Sequence, residues 1–301
     1  MHDIPQYNSW IRVEFIDKGW SEDQKYYIQT KSGEQLLLRL SNISQYEKKK
    51  QEFEWMQKVA ATGIPMSQPV EFGVCGNGQN VYSLLAWVNG EDAQFAISRF
   101  SPVESYNLGI KAGELLRKIH SVPVPDGSAD AEIVMKEAFR KKLIDFRSCS
   151  IAVPHEQEFL RYMEETFPLL HGVKQHFLHG DYHVGNMIIG SDDSLSVIDF
   201  NRFKFGDPYR DFSRMTVFSR ITSVPFARGQ IDGYWGRENP SDDFFPRMAF
   251  YSAFDNLFSV LWAIPFGEQE VRCTLERSQM IFEDFTGFTN CVPKWYLSHI
   301  K

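Results

Sequence analysis

"FLHGDYHVGNMIIGSDDSLSVIDFN", residues 177–201, sets an aspartate after His-Gly, an asparagine five residues later, and a second aspartate at the end of an apolar run. "FLHGDYHVGN" reads as a polar loop, "MII" as a short strand, "GSDDS" as a turn and "LSVIDF" as a second strand. A two-stranded hairpin brings its two ends close together, so Asp181, Asn186 and Asp199 are expected to converge. Oxygen donors of this kind suit Mg²⁺ on a polyphosphate, because Mg²⁺ keeps several waters and takes only one or two carboxylates from protein. The remaining acid is then free to orient an attacking hydroxyl, or to accept its proton.

Upstream, the chain reads as sheet and then as helix. "SWIRVEFI", "KYYIQT" and "QLLLRLS" are short apolar or alternating runs separated by Gly, Ser and Asp, as strands require. Residues 46–61, "YEKKKQEFEWMQKVAA", carry Phe53, Met56 and Val59 at helical spacing, and "TGIP" stops the pattern. "PVEFGVC" and "VYSLLAWV" flank "GNGQ" as a hairpin. "NGEDAQ" at 89–94 is a polar hinge, and "SPVESYNLGIKAGELLRKIHSVPVP" opens a helical region with a Ser-Pro start. A small sheet lobe joined to a larger helical lobe is expected, with a small-molecule site in the cleft.

The 301 residues, 43% hydrophobic and 24% charged, fit one large globular domain or two smaller ones. A net charge of -7 gives no whole-chain electrostatic footprint for nucleic acid. The dense basic run "EKKKQE" at 47–52 is bracketed by acids and reads as a solvated helix face. Cys75, Cys149, Cys273 and Cys291 lie far apart, with no C-x-x-C pair, and read as thiols of a reducing compartment. The polar start "MHDIPQYNSW" and the lack of a run near ~20 apolar residues point to a cytoplasmic chain with no membrane partner. Nothing in the sequence sets an oligomeric state.

The quoted segment resembles the catalytic loop and metal-binding hairpin of the aminoglycoside phosphotransferase family. That family includes antibiotic kinases and choline- and homoserine-type small-molecule kinases. Its loop pattern, H-G-D-x-x-x-x-N, is matched by His179, Gly180, Asp181 and Asn186, and its second metal aspartate by Asp199. The spacing parallels the H-R-D-x-x-x-x-N loop of protein kinases, with Gly where those carry Arg, and "DFN" replaces D-F-G at Asn201. Further matches run in the family's order: "DKGWSEDQKYY", "LLLRL", "QEFEWM", "LLAWVNGED" and "GDPYRDFSR". The resemblance implies an α+β, protein-kinase-like bilobal fold. Residues 1–88 would form an antiparallel sheet lobe with one helix that binds nucleotide, and residues 89–301 a mainly helical catalytic and acceptor-binding lobe.

The resemblance also implies roles. Asp181 would be the catalytic base or hydroxyl-positioning group, and Asn186 and Asp199 would hold Mg²⁺ on ATP or GTP. Arg39 would grip phosphate, with Glu52 as its helix partner in preference to Glu54 or Glu47. Ser21 and its neighbours in "GWSEDQK" would cover the phosphates, although this loop has no G-x-G-x-x-G. Leu85, Ala86 and Trp87 would line the adenine pocket, with backbone groups reading the base. His179 and Asp211 would support the loop, and His183 is read as loop-ordering before a second base.

The acceptor is a small-molecule hydroxyl, expected to belong to an aminoglycoside-type antibiotic, whose ammonium groups would want acids and aromatics. Asp207, Asp243, Glu268 and Asp284 are the candidates for that role, although an aromatic-rich helical core would give the same composition. A metabolic kinase of choline, homoserine or an amino sugar is the alternative within enzymes. A nucleotide-binding pseudokinase scaffold is the alternative outside them, and it has no need of the Asp181, Asn186 and Asp199 set. "HGDYH" does not read as a metal-binding helix, given its glycine and loop setting.

Overall fold

The computed structural model describes residues 1–17, 23–125 and 130–297. They fall into two compact units, residues 1–91 with 188–201, and residues 92–187 with 202–301.

The first unit is built on five strands, β1 (Trp10–Phe15), β2 (Gln24–Thr30), β3 (Gln35–Asn42), β4 (Pro69–Cys75) and β5 (Asn80–Ala86), in the spatial order β1-β2-β3-β5-β4. All neighbours are antiparallel. Strand side chains alternate between faces, and β3 shows what that does here. Leu36, Leu38 and Leu40 enter a core with Ile4, Ile28, Tyr82 and Leu84. Arg39 is thereby turned to the opposite face, in register with Lys25 of β2 and Ser83 of β5. Helix α1 (Tyr46–Ala60) buries Phe53, Trp55, Met56 and Val59, and with them Glu52. Its Phe53 ring stands 5.6 Å from Phe72 of β4. The β4–β5 turn needs positive φ at Gly76, Asn77 and Gly78, which accounts for "GNG".

The hairpin that opened the sequence reading is present. Met187–Ile189 and Leu195–Val197 are its strands, and its turn is closed by Gly190 N–H donating to Ser194 O at 2.9 Å. Val197 N–H donates to Pro65 O at 2.9 Å, and Ser67 N–H to Val197 O at 3.3 Å. These bonds tie a late segment to the stretch after α1 and make residues 188–201 part of the first unit.

The second unit is mainly helical: α2 (Pro102–His120), α3 (Ala131–Arg147), α4 (Glu156–Thr166), α5 (Val224–Tyr234), α6 (Phe244–Ala263) and α7 (Glu268–Asp284). Ser101 and Glu104 form a reciprocal capping box at the start of α2, with Pro102 in the first turn. Gly109 and Gly113 of α2 meet Gly229 and Gly233 of α5. A Cβ at Gly113 would lie 2.3 Å from Gln230 O, and one at Gly233 would lie 2.1 Å from Ile110 O. Residues that weaken an isolated helix are therefore what lets these two backbones touch. Helix α6 is apolar nearly all round, and most of its residues are buried. A pair of three-residue strands, His176–Leu178 and Lys204–Gly206, brackets the polar loop. Among the described residues no helix is long and apolar enough to cross a membrane.

Candidate active site

In the first unit the register of β3 places a charged cluster. Arg39 is buried, and its Nη1 donates to Glu52 Oε1 at 2.9 Å. Glu47 and Glu54 of the same helix are exposed, so Glu52 alone of the three reaches the guanidinium. Asp23 closes the other side. Its Oδ2 accepts from Arg39 Nη2 at 2.6 Å and Nε at 3.1 Å, and its Oδ1 accepts from Ser41 Oγ at 2.6 Å. Lys49 Nζ bridges the two acids, at 2.6 Å from Asp23 and 3.2 Å from Glu52. Burial works against ionisation of Asp23, but Arg39 and Lys49 outweigh it and hold the carboxyl well below its usual range. Burial likewise opposes the charge on Arg39, and Glu52, Asp199 and Asp23 together keep it protonated. Asp199 sits at φ +65° with a carboxylate oxygen 3.7 Å from Arg39 Nη1.

In the second unit the loop 179–186 is held from several sides. Asp211 accepts from the backbone N–H of both His179 and Gly180, at 2.8 Å each. Burial opposes the charge of Asp211, yet its contact with His120, at 3.1 Å, holds the carboxyl below its usual range. Burial also keeps His120 below its ordinary value and hence neutral, so its Nε2–H donates to Asp211 and its Nδ1 accepts from Tyr234 Oη. Tyr182 Oη donates to Ala112 O of α2 at 2.6 Å, and Val184 N–H to Ser219 Oγ at 3.1 Å. Gly180 adopts φ +82°, and a Cβ there would lie 1.9 Å from Arg202 O. No residue with a side chain fits, which explains Gly where protein kinases have Arg.

Asp181 and Asn186 are brought together. Asn186 Nδ2 donates to Asp181 O at 2.8 Å and lies 3.4 Å from Asp181 Oδ2. His183 orders the same loop, because its Nδ1 accepts from Gly185 N–H at 3.0 Å. Burial lowers its pKa to about 4, so the ring is neutral near pH 7. Two guanidiniums flank Asp181, Arg214 Nε at 3.5 Å from Oδ1 and Arg202 Nε at 3.8 Å from Oδ2.

The other expected positions are distributed as follows. Ser21 lies outside the described residues. Leu85 is buried and Ala86 and Trp87 are half-buried. Ala86 N–H donates to Gln68 O, its carbonyl accepts from Ser67 Oγ, and Trp87 N–H donates to Gln35 O. These backbone groups are thus already engaged within the unit.

The four acids put forward for the acceptor do not form one cluster. Asp207 is buried against Arg247, whose Nε is 2.8 Å from its Oδ2, and it caps Tyr209 N–H. Asp243 pairs with the same Arg247. Asp284 is buried against Arg220 at 2.9 Å, and burial raises its pKa. Glu268 is exposed in the first turn of α7. Trp235 and Phe244 join Tyr209, Phe212 and Tyr234 in a cluster of edge-to-face contacts and one tilted contact, Tyr209–Trp235, with Phe244 fully buried.

Sequence reasoning missed Asp23, Lys49, Arg202 and Arg214. The reading of "EKKKQE" as a solvated face holds for Lys48 and Lys50, but Lys49 is only 11% exposed and belongs to the ion cluster. Its signal was the i, i+3 spacing to Glu52.

No curated protein matches the chain in sequence. Solved structures share its fold at low identity. The amicoumacin kinase hAmiN, solved with AMP-PNP, Ca²⁺ and Ami, is 14% identical, with a TM-score of 0.66 over 95% of this chain and 91% of its own. Aminoglycoside 2'-phosphotransferase-IIIa, solved as a GDP complex, is 16% identical, with a TM-score of 0.67 over 92% and 94%. A choline/ethanolamine kinase family protein from Mesorhizobium loti is 15% identical, with a TM-score of 0.66 over 99% and 97%. This likeness shows the α+β kinase-like fold. In sequence, residues 12–242 match the model of the APH phosphotransferase enzyme family, and the chain, with the H-G-D-x-x-x-x-N loop that Asp211 and Gly180 hold in shape, belongs to that family of phosphotransferases.

Proposed function

We propose that this phosphotransferase moves the γ-phosphoryl group of ATP or GTP to a hydroxyl of a small molecule, with Asp181 as the group that orients the hydroxyl and receives its proton. The observation that carries the reading is the fixing of Asp181. Asn186 holds its backbone, Asp211 holds the two preceding N–H groups, and its carboxylate keeps no close hydrogen bond from a cation. In the reaction the acceptor oxygen forms a bond to the γ-phosphorus as the bond to the β–γ bridging oxygen breaks. The hydroxyl proton passes to an Asp181 oxygen, and the nucleoside diphosphate leaves.

Mg²⁺ suits the donors present. Asn186 uses its amide N–H on Asp181, which turns its carbonyl oxygen to other use. Asp199 is about one-third exposed and makes no hydrogen bond among the described residues. When bound, Mg²⁺ neutralises charge on the transferring phosphoryl group. Arg39 carries a guanidinium suited to phosphate oxygens, held by Glu52 on one side and by Asp23, which phosphate would have to displace, on the other.

A metabolite is favoured over an antibiotic as the acceptor. The ammonium groups of an aminoglycoside want unpaired acids, whereas Asp207, Asp243 and Asp284 are paired with arginines, and arginines flank Asp181. Calorimetric binding of Mg·AMP-PNP tests the nucleotide half of the reading. Wild type is expected to bind and Arg39→Ala to bind at least about tenfold more weakly, the scale of a lost charge-assisted pair. Equal binding by both would refute the role of Arg39.

A further inference from the structure

The surroundings of Asp181 in the second unit are cationic beyond what the phosphotransferase reading uses. Arg214 and Arg202 stand on either side of its carboxylate at 3.5 and 3.8 Å, and among the described residues neither guanidinium makes a hydrogen bond. Lys204, on the short strand beside the loop, is half-buried, and among those residues its ammonium makes no hydrogen bond or ion pair. Arg210 lies over the rings of Tyr251 and Phe254 at 5.9 and 5.5 Å, and its buried Nε has no hydrogen-bond partner. The acids within reach are few. Asp255 accepts from Ser213 Oγ at 2.5 Å and stands 3.8 Å from Arg210 Nη2, and Asp211 is committed to the loop backbone and His120. Burial, and after it Arg210, brings the Lys204 pKa down to about 8, against the opposing pull of Asp255 and Asp211.

Clustered cations, of which Lys204, Arg210 and Arg214 are half-buried, are costly to hold in a fold when few acids compensate them. Planar guanidiniums aimed at one point are suited to a bidentate oxyanion. We infer that the acceptor carries, a few bonds from the hydroxyl that is phosphorylated, an anionic carboxylate or phosphate group held by Arg214 and Arg202, with Lys204 and Arg210 extending the cationic surface behind them. This rests on the phosphotransferase reading for the place of the hydroxyl at Asp181 and goes beyond it by naming the charge of the acceptor. Arg202 and Arg214 alone would also suit a phosphoryl group in transfer. Lys204 and Arg210 neighbour Arg214 and share with it Asp255 as counter-ion; the four cations still outnumber Asp255 and Asp181, and an anion on the acceptor accounts for the excess.

The test is a calorimetric titration of the full chain with malonate, inorganic phosphate, choline and kanamycin, with and without saturating Mg·AMP-PNP. Wild type, Arg214→Gln and Arg202→Gln are compared. Arg202 is 42% exposed, so its replacement leaves the fold intact should Arg214→Gln fail to fold. The expected result is binding of malonate or phosphate at millimolar concentration that persists with nucleotide bound. It should weaken about tenfold in Arg214→Gln and measurably in Arg202→Gln, with no binding of choline or kanamycin to wild type. Preference for malonate would assign a hydroxy carboxylate, and preference for phosphate a phosphorylated alcohol. Tighter binding of choline or kanamycin than of either anion would overturn the inference, as would absence of anion binding or anion binding unchanged in both variants. Failure of Mg·AMP-PNP itself to bind strikes the phosphotransferase reading separately, since the anion titration is also run without it.

Discussion

Asp23 Oδ2 lies 2.6 Å from Arg39 Nη2, and this contact occupies the guanidinium on the side that Glu52 does not. The same oxygen is 2.6 Å from Lys49 Nζ, so one carboxylate neutralises two largely buried cations. Removing one partner of such a set leaves charge uncompensated. Asp23→Asn is therefore expected to lower unfolding stability by about 3 kcal/mol. It should also tighten binding of Mg·AMP-PNP several-fold, because an internal competitor for Arg39 is gone. Thermal unfolding and calorimetry on the same sample check both. Weaker nucleotide binding in a folded variant would show instead that Asp23 supports the nucleotide.

Asp211 spans two successive N–H groups with its two oxygens. An asparagine has one carbonyl oxygen and can accept only one of them comfortably. Asp211→Asn is expected to cost about 3 kcal/mol, the scale of a buried hydrogen bond to a charged group and an orphaned donor. It should lower kcat for phosphoryl transfer at least about tenfold through misplacement of Asp181. The KM for nucleotide should stay unchanged. A variant with unaltered kcat would break the link between Asp211 and the loop.

His183 supplies a pH dependence. Its Nδ1 accepts Gly185 N–H, and burial lowers its pKa from 6.5 to about 4. Between those values the unfolded chain binds a proton that the folded chain refuses, so stability falls as pH drops from 6.5 to 4, by about 3 kcal/mol at most. Asparagine can accept the same N–H in a local turn without titrating. Chemical denaturation from pH 4 to 7 should show a shallower pH slope for His183→Asn than for wild type. Equal slopes would mean that His183 is protonated in the fold.

How far these features were readable from the chain depends on their range in sequence. The alternation of β3 and the spacing in α1 are local, so the strand and the helix were legible in the sequence, whereas Arg39 and its partner Glu52 were singled out by the family resemblance. The glycine of "HGD" was visible, but its cause, the carbonyl of Arg202 pressed against it, is not local. Asp23 stood in a polar loop that reads as punctuation, and Lys49 was hidden within a basic run. Arg214 lies 33 residues from Asp181, and the Asp207–Arg247 pair spans 40. Such distant pairs leave no periodic signal. The short strands His176–Leu178 and Lys204–Gly206 are too brief to show alternation.

The most direct measurement is a mass-spectrometric phosphorylation screen with Mg²⁺ and either ATP or GTP, comparing wild type with Asp181→Ala. The acceptors are hydroxy acids, phosphorylated alcohols, choline, homoserine, amino sugars, aminoglycosides and macrolides. A gain of one phosphate by a hydroxyl compound with wild type, reduced by at least about a hundredfold in Asp181→Ala, is the expected result. Equal transfer by Asp181→Ala would contradict the assignment of Asp181, and the absence of transfer to every acceptor despite nucleotide binding would return the protein to the reading of a scaffold.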